Sequence, residues 1–164
     1  MKKYILIAVF VVIAQGCGFY NFTGGNVGSA ETFQVNRFEN NSPIIEPGLD
    51  RDFRLALQDL ITNQTNLSYA TSGGDLLYEG EITEYRIAPM SATSQNTAAQ
   101  NRLTISVNVR FYNATKPDDD FEQRFSFFYD FPAATSVNAI KSEAHEVIFE
   151  RITQDIFNES LANW

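Results

Sequence analysis

The sequence predicts an α+β fold in which two helices pack on one face of a mixed sheet of about four strands. Several segments of the 164-residue chain alternate apolar and polar residues, which is typical of strands with one buried face. Two longer segments each carry one apolar stripe at helical spacing. The elements follow in the order β-α-β-β-β-α. Because each element has a single apolar side, one two-layer core can bury them all.

The first predicted strand and the first predicted helix lie on either side of a break at residues 40–43. In the strand, at 31–38, Phe33 and Val35 alternate with polar neighbours. The helix follows a proline and a glycine, which are typical of a turn that precedes a helix. Its apolar stripe comprises Leu49, Phe53, Ala56, Leu57, Leu60 and Ile61.

Three further strands and a second helix follow. Residues 67–70 pair with, or lead into, the first of these strands, and the alternation is clearest at 102–112. Residues 88–100 are low in charge and are predicted to form a long loop, and residues 116–120 a turn. The apolar positions of the three strands are Leu76, Tyr78, Gly80, Ile82, Leu103, Ile105, Val107, Val109, Phe111, Phe125, Phe127, Tyr129 and Phe131. Those of the second helix are Ile140, Ala144, Val147, Ile148, Ile152 and Ile156.

The N-terminus has the three parts of a lipoprotein export signal. The basic pair Lys2 and Lys3 precedes an apolar run at 4–14, which is too short to span a bilayer. A small residue then directly precedes Cys17, the only cysteine in the chain. We predict that residues 1–16 are a signal peptide and that Cys17 is acylated. The alternative is an ordinary secretory signal followed by a free cysteine.

Removal of the signal peptide leaves one acidic domain. Residues 17–30 are predicted to be the acylated cysteine and a flexible tether, and residues 31–164 a single domain. Loss of Lys2 and Lys3 from the 12 basic residues leaves 10 against 20 acidic ones, a formal net charge of −10. This charge argues against a nucleic-acid partner, because phosphates require basic side chains. Membrane attachment would then depend on the acyl chains.

No group of residues in the sequence has the spacing of a catalytic or metal site. His145 is the only histidine, and we expect it to be solvated or to cap a helix. Three consecutive carboxylates at 118–120 suggest calcium, but the glycine and the distal glutamate of a calcium-binding loop are missing. A solvated turn is the alternative. We therefore predict a protein that is not an enzyme and needs no metal or cofactor.

Three arginines share the predicted solvent face of the sheet. Arg102 and Arg110 lie on one strand and Arg124 on its neighbour. Guanidinium groups bind phosphate in a bidentate way, so these residues are candidates for contact with anionic lipid. The alternative is pairing with carboxylates across the strands, since opposite charges often face each other in sheets. The glutamates available for such pairing are Glu79, Glu81 and Glu122.

Short motifs along the whole mature chain occur in an order that is specific for one known family. The mature start reads Cys17-Gly18-Phe19-Tyr20-Asn21-Phe22-Thr23-Gly24. The further motifs are Gln64-Thr65-Asn66-Leu67, Gly74-Asp75-Leu76, Glu79-Gly80-Glu81-Ile82, Arg102-Leu103-Thr104-Ile105-Ser106-Val107, Phe121-Glu122, Phe125-Ser126, Asp155-Ile156-Phe157-Asn158 and Asn163-Trp164. With these motifs the sequence resembles the LPS-assembly lipoprotein family, LptE.

This resemblance implies a periplasm-facing protein that is anchored in the outer membrane. Members of the family act as plug and assembly subunit of the β-barrel LPS translocon LptD, contact lipopolysaccharide and are not enzymes. Arg102, Arg110 and Arg124 are then the expected LPS-binding residues, and the loop at 88–100 is the expected contact with the barrel. The contact residues within that loop are Ala88, Pro89, Met90, Gln95 and Asn96.

A second interpretation comes from a different functional class. The chain would then be an auxiliary lipoprotein that presents its sheet to another envelope machine, such as a phospholipid transporter or a cell-wall synthase. Co-purification with a large barrel distinguishes the two interpretations.

Overall fold

A computed structural model of the chain describes residues 27–90 and 99–162 and confirms the α+β fold. Its elements in chain order are β1 (Thr32–Asn40), α1 (Leu49–Gln64), β2 (Ser68–Tyr69), β3 (Leu76–Met90), β4 (Gln100–Asn113), a short 3-10 helix (Pro117–Asp119), β5 (Phe121–Pro132) and α2 (Val137–Leu161). The sheet has five strands rather than about four, because residues 67–70 contribute the two-residue strand β2. The 3-10 helix lies in the predicted turn at 116–120.

The five strands form one mixed sheet in the order β2-β1-β3-β4-β5. β1 runs parallel to β2 and β3, which requires a crossover connection, and α1 supplies it. β3, β4 and β5 are successive antiparallel neighbours. Phe33 is opposite Leu76, and Leu76 is opposite Asn113. The chain therefore enters β1 at the end of the sheet away from the end of β3 and the start of β4.

Both helices pack on the same side of the sheet and share one apolar core with it. α1 packs mainly on β1, and α2 mainly on β5. The helices meet at Phe53, whose ring lies edge-on to Phe38 at 5.0 Å and to Phe149 at 5.4 Å between ring centroids. The predicted stripe of α1 is confirmed, since Leu49, Phe53, Leu57 and Ile61 are buried.

The buried stripe of α2 is broader than the sequence predicts and excludes one predicted residue. Ala144, Ile148, Ile152 and Ile156 are buried as expected. Val147 is 38% exposed. The buried stripe includes Phe149, which follows Ile148, rather than Val147, which precedes it. The additional buried residues are Phe149, Thr153, Phe157 and Leu161.

A shift in register within β3 sets which of its residues face the core. Leu76, Tyr78 and Ile82 are buried in alternation with less buried neighbours. The register with β4 then shifts between Ile82 and Glu84. Such a bulge exchanges the two faces of a strand. As a result Tyr85 is buried, whereas Glu84 lies on the opposite face of the sheet.

Gly80 lies where three strands approach each other closely. β1 shifts register between Val35 and Phe38, and Phe38 is paired with Gly80. A Cβ atom at Gly80 would collide with the carbonyl oxygen of Asn108 on β4 and would lie 3.0 Å from Cε1 of Phe38. Glycine therefore allows β4 to approach β3 at this position.

Within residues 27–90 and 99–162, no helix is long and apolar enough to cross a membrane. The predicted signal peptide at 1–16 and the predicted acylation site, Cys17, lie outside the described residues. Acylation of Cys17 therefore stays a prediction.

Candidate functional site

The three predicted arginines lie on the side of the sheet away from the helices, which we call the open face. They are too far apart to form one site. Arg102 and Arg110 are eight residues apart on β4, which separates them by about 27 Å at about 3.4 Å per residue. Arg124 is paired in register with Asn108 and is therefore nearer to Arg110. One phosphate group cannot contact all three guanidinium groups.

Arg102 is the least available of the three. Its Nε and Nη2 atoms donate to the two carboxylate oxygens of Asp130, at 2.7 and 2.8 Å. This bidentate contact occupies N–H groups that a phosphate would need. The guanidinium also lies 3.5 Å from the centre of the Phe128 ring, so aromatic contact covers one side of it.

Arg110 and Arg124 are held by fewer contacts. Nε of Arg110 lies 3.4 Å from Glu79, which is the longest ion pair among the described residues. Nη2 of Arg124 donates to Glu84 at 2.7 Å, but 56% of the Arg124 side chain is exposed. Since a guanidinium has five N–H donors, both residues retain donors for a ligand.

Of the two alternatives that the sequence leaves open for these arginines, cross-strand pairing is observed. Glu79 is one of the predicted partners. Glu81 and Glu122, the other two, instead accept hydrogen bonds from the side-chain amides of asparagines. Pairing does not exclude a ligand, because exposed ion pairs contribute little to stability.

Glu84 is the centre of a polar cluster that the sequence does not predict. Its carboxylate accepts hydrogen bonds from Nε of Arg86 at 2.7 Å, Nη2 of Arg124 at 2.7 Å and the hydroxyl of Ser106 at 2.8 Å. Ser106 is fully buried, and its Oγ also lies 2.9 Å from Oγ of Ser126. The hydrogen bonds from Arg86 and Ser106 lower the pKa of Glu84 against the effect of partial burial. The cluster therefore links β3, β4 and β5 through an ionised carboxylate.

Two aromatic side chains interrupt the polar surface of the open face. Phe128 is 39% exposed and Tyr112 is 41% exposed. Phe128 lies opposite Thr104, and Tyr112 lies opposite Leu77 near the other end of the sheet. The open face thus offers guanidinium groups, carboxylates and aromatic rings to a ligand.

The predicted loop that contacts the partner is in part strand. Ala88, Pro89 and Met90 belong to β3 and pair with the first three residues of β4. The expectation of a loop at 88–100 is therefore wrong for these three residues and for Gln100, the first residue of β4. Gln95 and Asn96, the other predicted contact residues, lie outside the described residues.

This strand continues because β3 is longer than β1. β1 ends at Asn40, opposite Ile82, so beyond Ile82 β3 has only β4 as a neighbouring strand. Pro89 fits there because no strand on the other side needs the N–H that proline lacks. At residues 88–90 and at Gln100, the low charge that suggests a loop belongs instead to a three-stranded ribbon, in which β3, β4 and β5 extend together beyond β1.

His145 is only partly exposed and caps no helix, contrary to the expectation from the sequence. Its half-buried ring stacks on Phe149 at 5.6 Å between centroids, and its Nε2 lies 3.2 Å from the hydroxyl of Tyr85. Burial lowers the pKa of His145, against the attraction of Glu46. Burial also raises the pKa of Tyr85 to about 12. Both side chains are therefore neutral at pH 7, and their contact connects α2 to β3.

Two of the carboxylates at 118–120 form an ion pair and a hydrogen bond with residues at or beside their own turn. Asp119 pairs with Lys116 at 2.7 Å, and Asp120 accepts a hydrogen bond from the backbone N–H of Asn113 at 2.7 Å. In the parts of the chain that the structure describes, no group of three or more His, Cys, Asp or Glu side chains is placed to hold a metal ion. The turn, rather than a calcium site, is the alternative that these contacts support.

Several solved structures share the fold at low sequence identity. A minor lipoprotein from Acinetobacter baumannii has a TM-score of 0.51 and 11% identity over 79% of this chain and 91% of that chain. A hypothetical protein from Chlamydia trachomatis has a TM-score of 0.56 and 9% identity over 82% and 100%. Lipoprotein B from Nitrosomonas europaea has a TM-score of 0.53 and 12% identity over 87% and 88%. At such identities the likeness shows the fold alone.

No curated protein sequence matches the chain. The family model for lipopolysaccharide-assembly proteins, LptE, matches residues 30–160. That range contains all five strands and both helices except the last residue of α2. The chain therefore belongs to the LptE family of lipopolysaccharide-assembly proteins.

Proposed function

We propose that the protein is an outer-membrane lipoprotein that acts as plug and assembly subunit of the LPS-export barrel LptD and assists the insertion of lipopolysaccharide. The observation that carries this proposal is the family match over residues 30–160, which spans the whole sheet and both helices. The described residues add a projecting ribbon and an open sheet face, which are the surfaces that such a subunit needs. The protein would bind and position its partners without catalysing a reaction.

The anchor in this proposal is Cys17 with its acyl chains. Each buried CH₂ group contributes about 0.8 kcal/mol, and more than one chain is needed for stable attachment. Residues 17–30 would reach at most about 45–50 Å when fully extended. The net charge of −10 provides no attraction to anionic headgroups, so the acyl chains would supply the affinity.

The contact with the barrel in this proposal is the ribbon at the ends of β3 and β4. It lies at the end of the sheet away from the start of β1, and residues 88–100 carry no charged side chain. Ala88, Pro89 and Met90 would contact the barrel through the strand, together with Gln95 and Asn96 between the strands. A surface without charged side chains can enter a protein partner without desolvation of ionised groups.

The contact with lipopolysaccharide in this proposal is the open face. The ion pairs of Arg110 and Arg124 are partly exposed, and pairs of that kind contribute about 0–1 kcal/mol. A phosphate can therefore replace the carboxylate partner at little loss of stability. Arg102 would contribute less, because its contact with Asp130 is bidentate.

The first test is purification of the tagged protein from its own bacterium in a mild detergent. We expect a large, heat-modifiable barrel to co-purify, and mass spectrometry of the same sample to show acyl chains on Cys17. A Cys17→Ser variant is the control for the anchor. An acylated protein that brings down no barrel would contradict the plug role and favour the auxiliary-lipoprotein alternative. An unmodified cysteine would contradict the anchor.

The second test concerns lipopolysaccharide alone. We expect replacement of Arg102, Arg110 and Arg124 by alanine to weaken LPS binding roughly tenfold or more, since each lost charge-assisted hydrogen bond contributes about 1.5–3 kcal/mol. The matched control replaces three exposed arginines elsewhere in the chain by alanine, so that the net charge changes by the same amount. Its positions are Arg37, Arg51 and Arg151. Equal binding by the two triple variants would exclude the open-face arginines as the LPS site.

A further inference from the structure

The two edges of the sheet differ in length and in what covers them. The edge at β2 is two residues long. The neighbouring strand β1 is packed by α1, and its Arg37 pairs with Asp50 of that helix at 2.9 Å. The edge at β5 is 12 residues long and pairs with β4 without any shift in register. The end of β3 beyond Ile82 also has no strand on its outer side, but it follows a register shift and contains Pro89. Among the described residues, β5 is therefore the longest regular strand that faces the outside.

The backbone groups that point outward from β5 belong to alternate residues. The N–H of Ala133 donates to the carbonyl oxygen of Ala99 at 2.9 Å, which continues the β4–β5 ladder. In an antiparallel pair, alternate residues of a strand bond to the partner and the others point away. By this alternation the outward residues are Glu122, Arg124, Ser126, Phe128 and Asp130. No backbone hydrogen bond to these five residues from outside the ladder occurs within 27–90 and 99–162.

Apolar surface borders this edge on both sides. Phe128 is exposed on the open face. On the other side, Tyr129 donates to Glu143 at 2.9 Å and the Phe127 ring lies 5.8 Å from Cζ of Arg151. Val147, which is 38% exposed, lies between those two helix residues, one turn from each.

Native proteins normally protect an edge strand by shortening it, bending it with a bulge, interrupting it with proline or placing charged side chains on it. β5 has none of the first three features before Pro132, its last residue, and its protection is limited to the charged outward residues Glu122, Arg124 and Asp130. From this difference we infer that the β5 edge accepts an additional strand from the barrel partner, so that the sheet becomes six-stranded. The inference rests on the proposed function for the identity of the partner.

The charges around the edge define the chemistry of that strand. Arg124 and Arg151 already pair with carboxylates of this chain. Glu122, Glu143 and Glu150, by contrast, form no ion pair within the described residues. The added strand therefore carries both Lys or Arg and apolar side chains on each of its faces. On the open face they would meet Glu122 and Phe128, and on the helix side Glu143, Glu150 and Val147. A second copy of this chain fits less well, because it would bring two sets of these glutamates together.

The experiment uses two variants of one outward residue in the complete complex. Ser126→Pro removes an outward N–H and places a ring in the path of an added strand. Ser126→Ala keeps the N–H and is the matched control. We expect the proline variant to retain roughly tenfold less barrel than the wild type in mild detergent, and the alanine variant to retain about as much. Circular dichroism and thermal unfolding of both variants test whether the fold is intact.

Hydrogen exchange of the wild type provides a measurement that needs no variant. We expect the amides of Arg124, Ser126 and Phe128 to exchange more slowly in the barrel complex than in the free protein. Equal exchange in both states would overturn the inference, and so would full retention of the barrel by a folded proline variant. Slow exchange that depends on the concentration of the free protein would overturn it in favour of self-pairing. If the wild type brings down no barrel, the proposed function fails instead.

Discussion

The two faces of the sheet are stabilised by different forces. On the helix side, Phe111 is fully buried and its ring lies 4.9 Å from Tyr78 and 5.3 Å from Phe121 between centroids. On the open face, ion pairs and the cluster around Glu84 connect neighbouring strands. Apolar burial contributes far more to stability than exposed ion pairs. The open face can therefore change its contacts for a ligand while the helix side maintains the fold.

The largest effect should come from a truncation on the helix side. We expect Phe111→Ala to lower the free energy of unfolding by about 3–5 kcal/mol, because it removes a buried ring and leaves a cavity. The matched control on the open face is Phe128→Ala, for which we expect about 1 kcal/mol or less, since that ring is already partly in water. Urea unfolding of both variants measures the difference. Similar losses from the two truncations would contradict the comparison of the faces.

A pH titration should separate the two faces. Burial lowers the pKa of His145 below its ordinary 6.5, so the unfolded chain takes up a proton first and stability falls as the pH drops below about 6.5. On the open face, hydrogen bonds lower the pKa of Glu84 and of Asp130 below their ordinary values of 4.5 and 3.8. Their contribution to stability is complete above those values and is lost as the pH falls further.

The measurement for this titration is the free energy of unfolding from pH 7.5 to pH 3.5. We expect His145→Gln to flatten the upper part of the profile, between about pH 7 and pH 5, and to leave the acid limb unchanged. Glu84→Gln is the matched variant for the other face and should flatten only the acid limb. If His145→Gln leaves the upper part as steep as in the wild type, the histidine is not the group that titrates there.

The smallest effect should come from a single ion pair of the open face. A double-mutant cycle with Glu84→Gln and Arg124→Ala should give a coupling free energy of about 0.3–1 kcal/mol, because the Arg124 side chain is largely exposed. Urea unfolding at low salt and at about 0.5 M salt checks the electrostatic origin, since salt screens such pairs. A coupling near 3 kcal/mol that is independent of salt would mean that the pair behaves as a buried one.

The fold was largely predictable because its main signals are local. Alternation along β4 places all five predicted apolar residues, from Leu103 to Phe111, in the core. The spacing in α1 does the same for Leu49, Phe53, Leu57 and Ile61. Such patterns follow from the geometry of one element, so neighbours in sequence carry the information.

The candidate site was predictable only in part. The three arginines lie on the face that alternation assigns to them, but Glu84 and Asp130 as their partners were not predicted. Without the shift in register after Ile82, alternation would place Glu84 in the core and Tyr85 on the open face. The contact between Tyr85 and His145 depends on the same shift, so the expectation for the histidine was wrong for the same reason.

What the linear chain specifies is therefore the class of fold, the face to which each regular side chain points and, through its ordered motifs, the LptE family. The length of β3, the bulge at Ile82, the choice of ion-pair partners and the uncovered edge of β5 arise from contacts between residues about 10 to 60 positions apart. These features depend on which strands meet and in which register, and the balance of many distant contacts sets that register rather than any local preference.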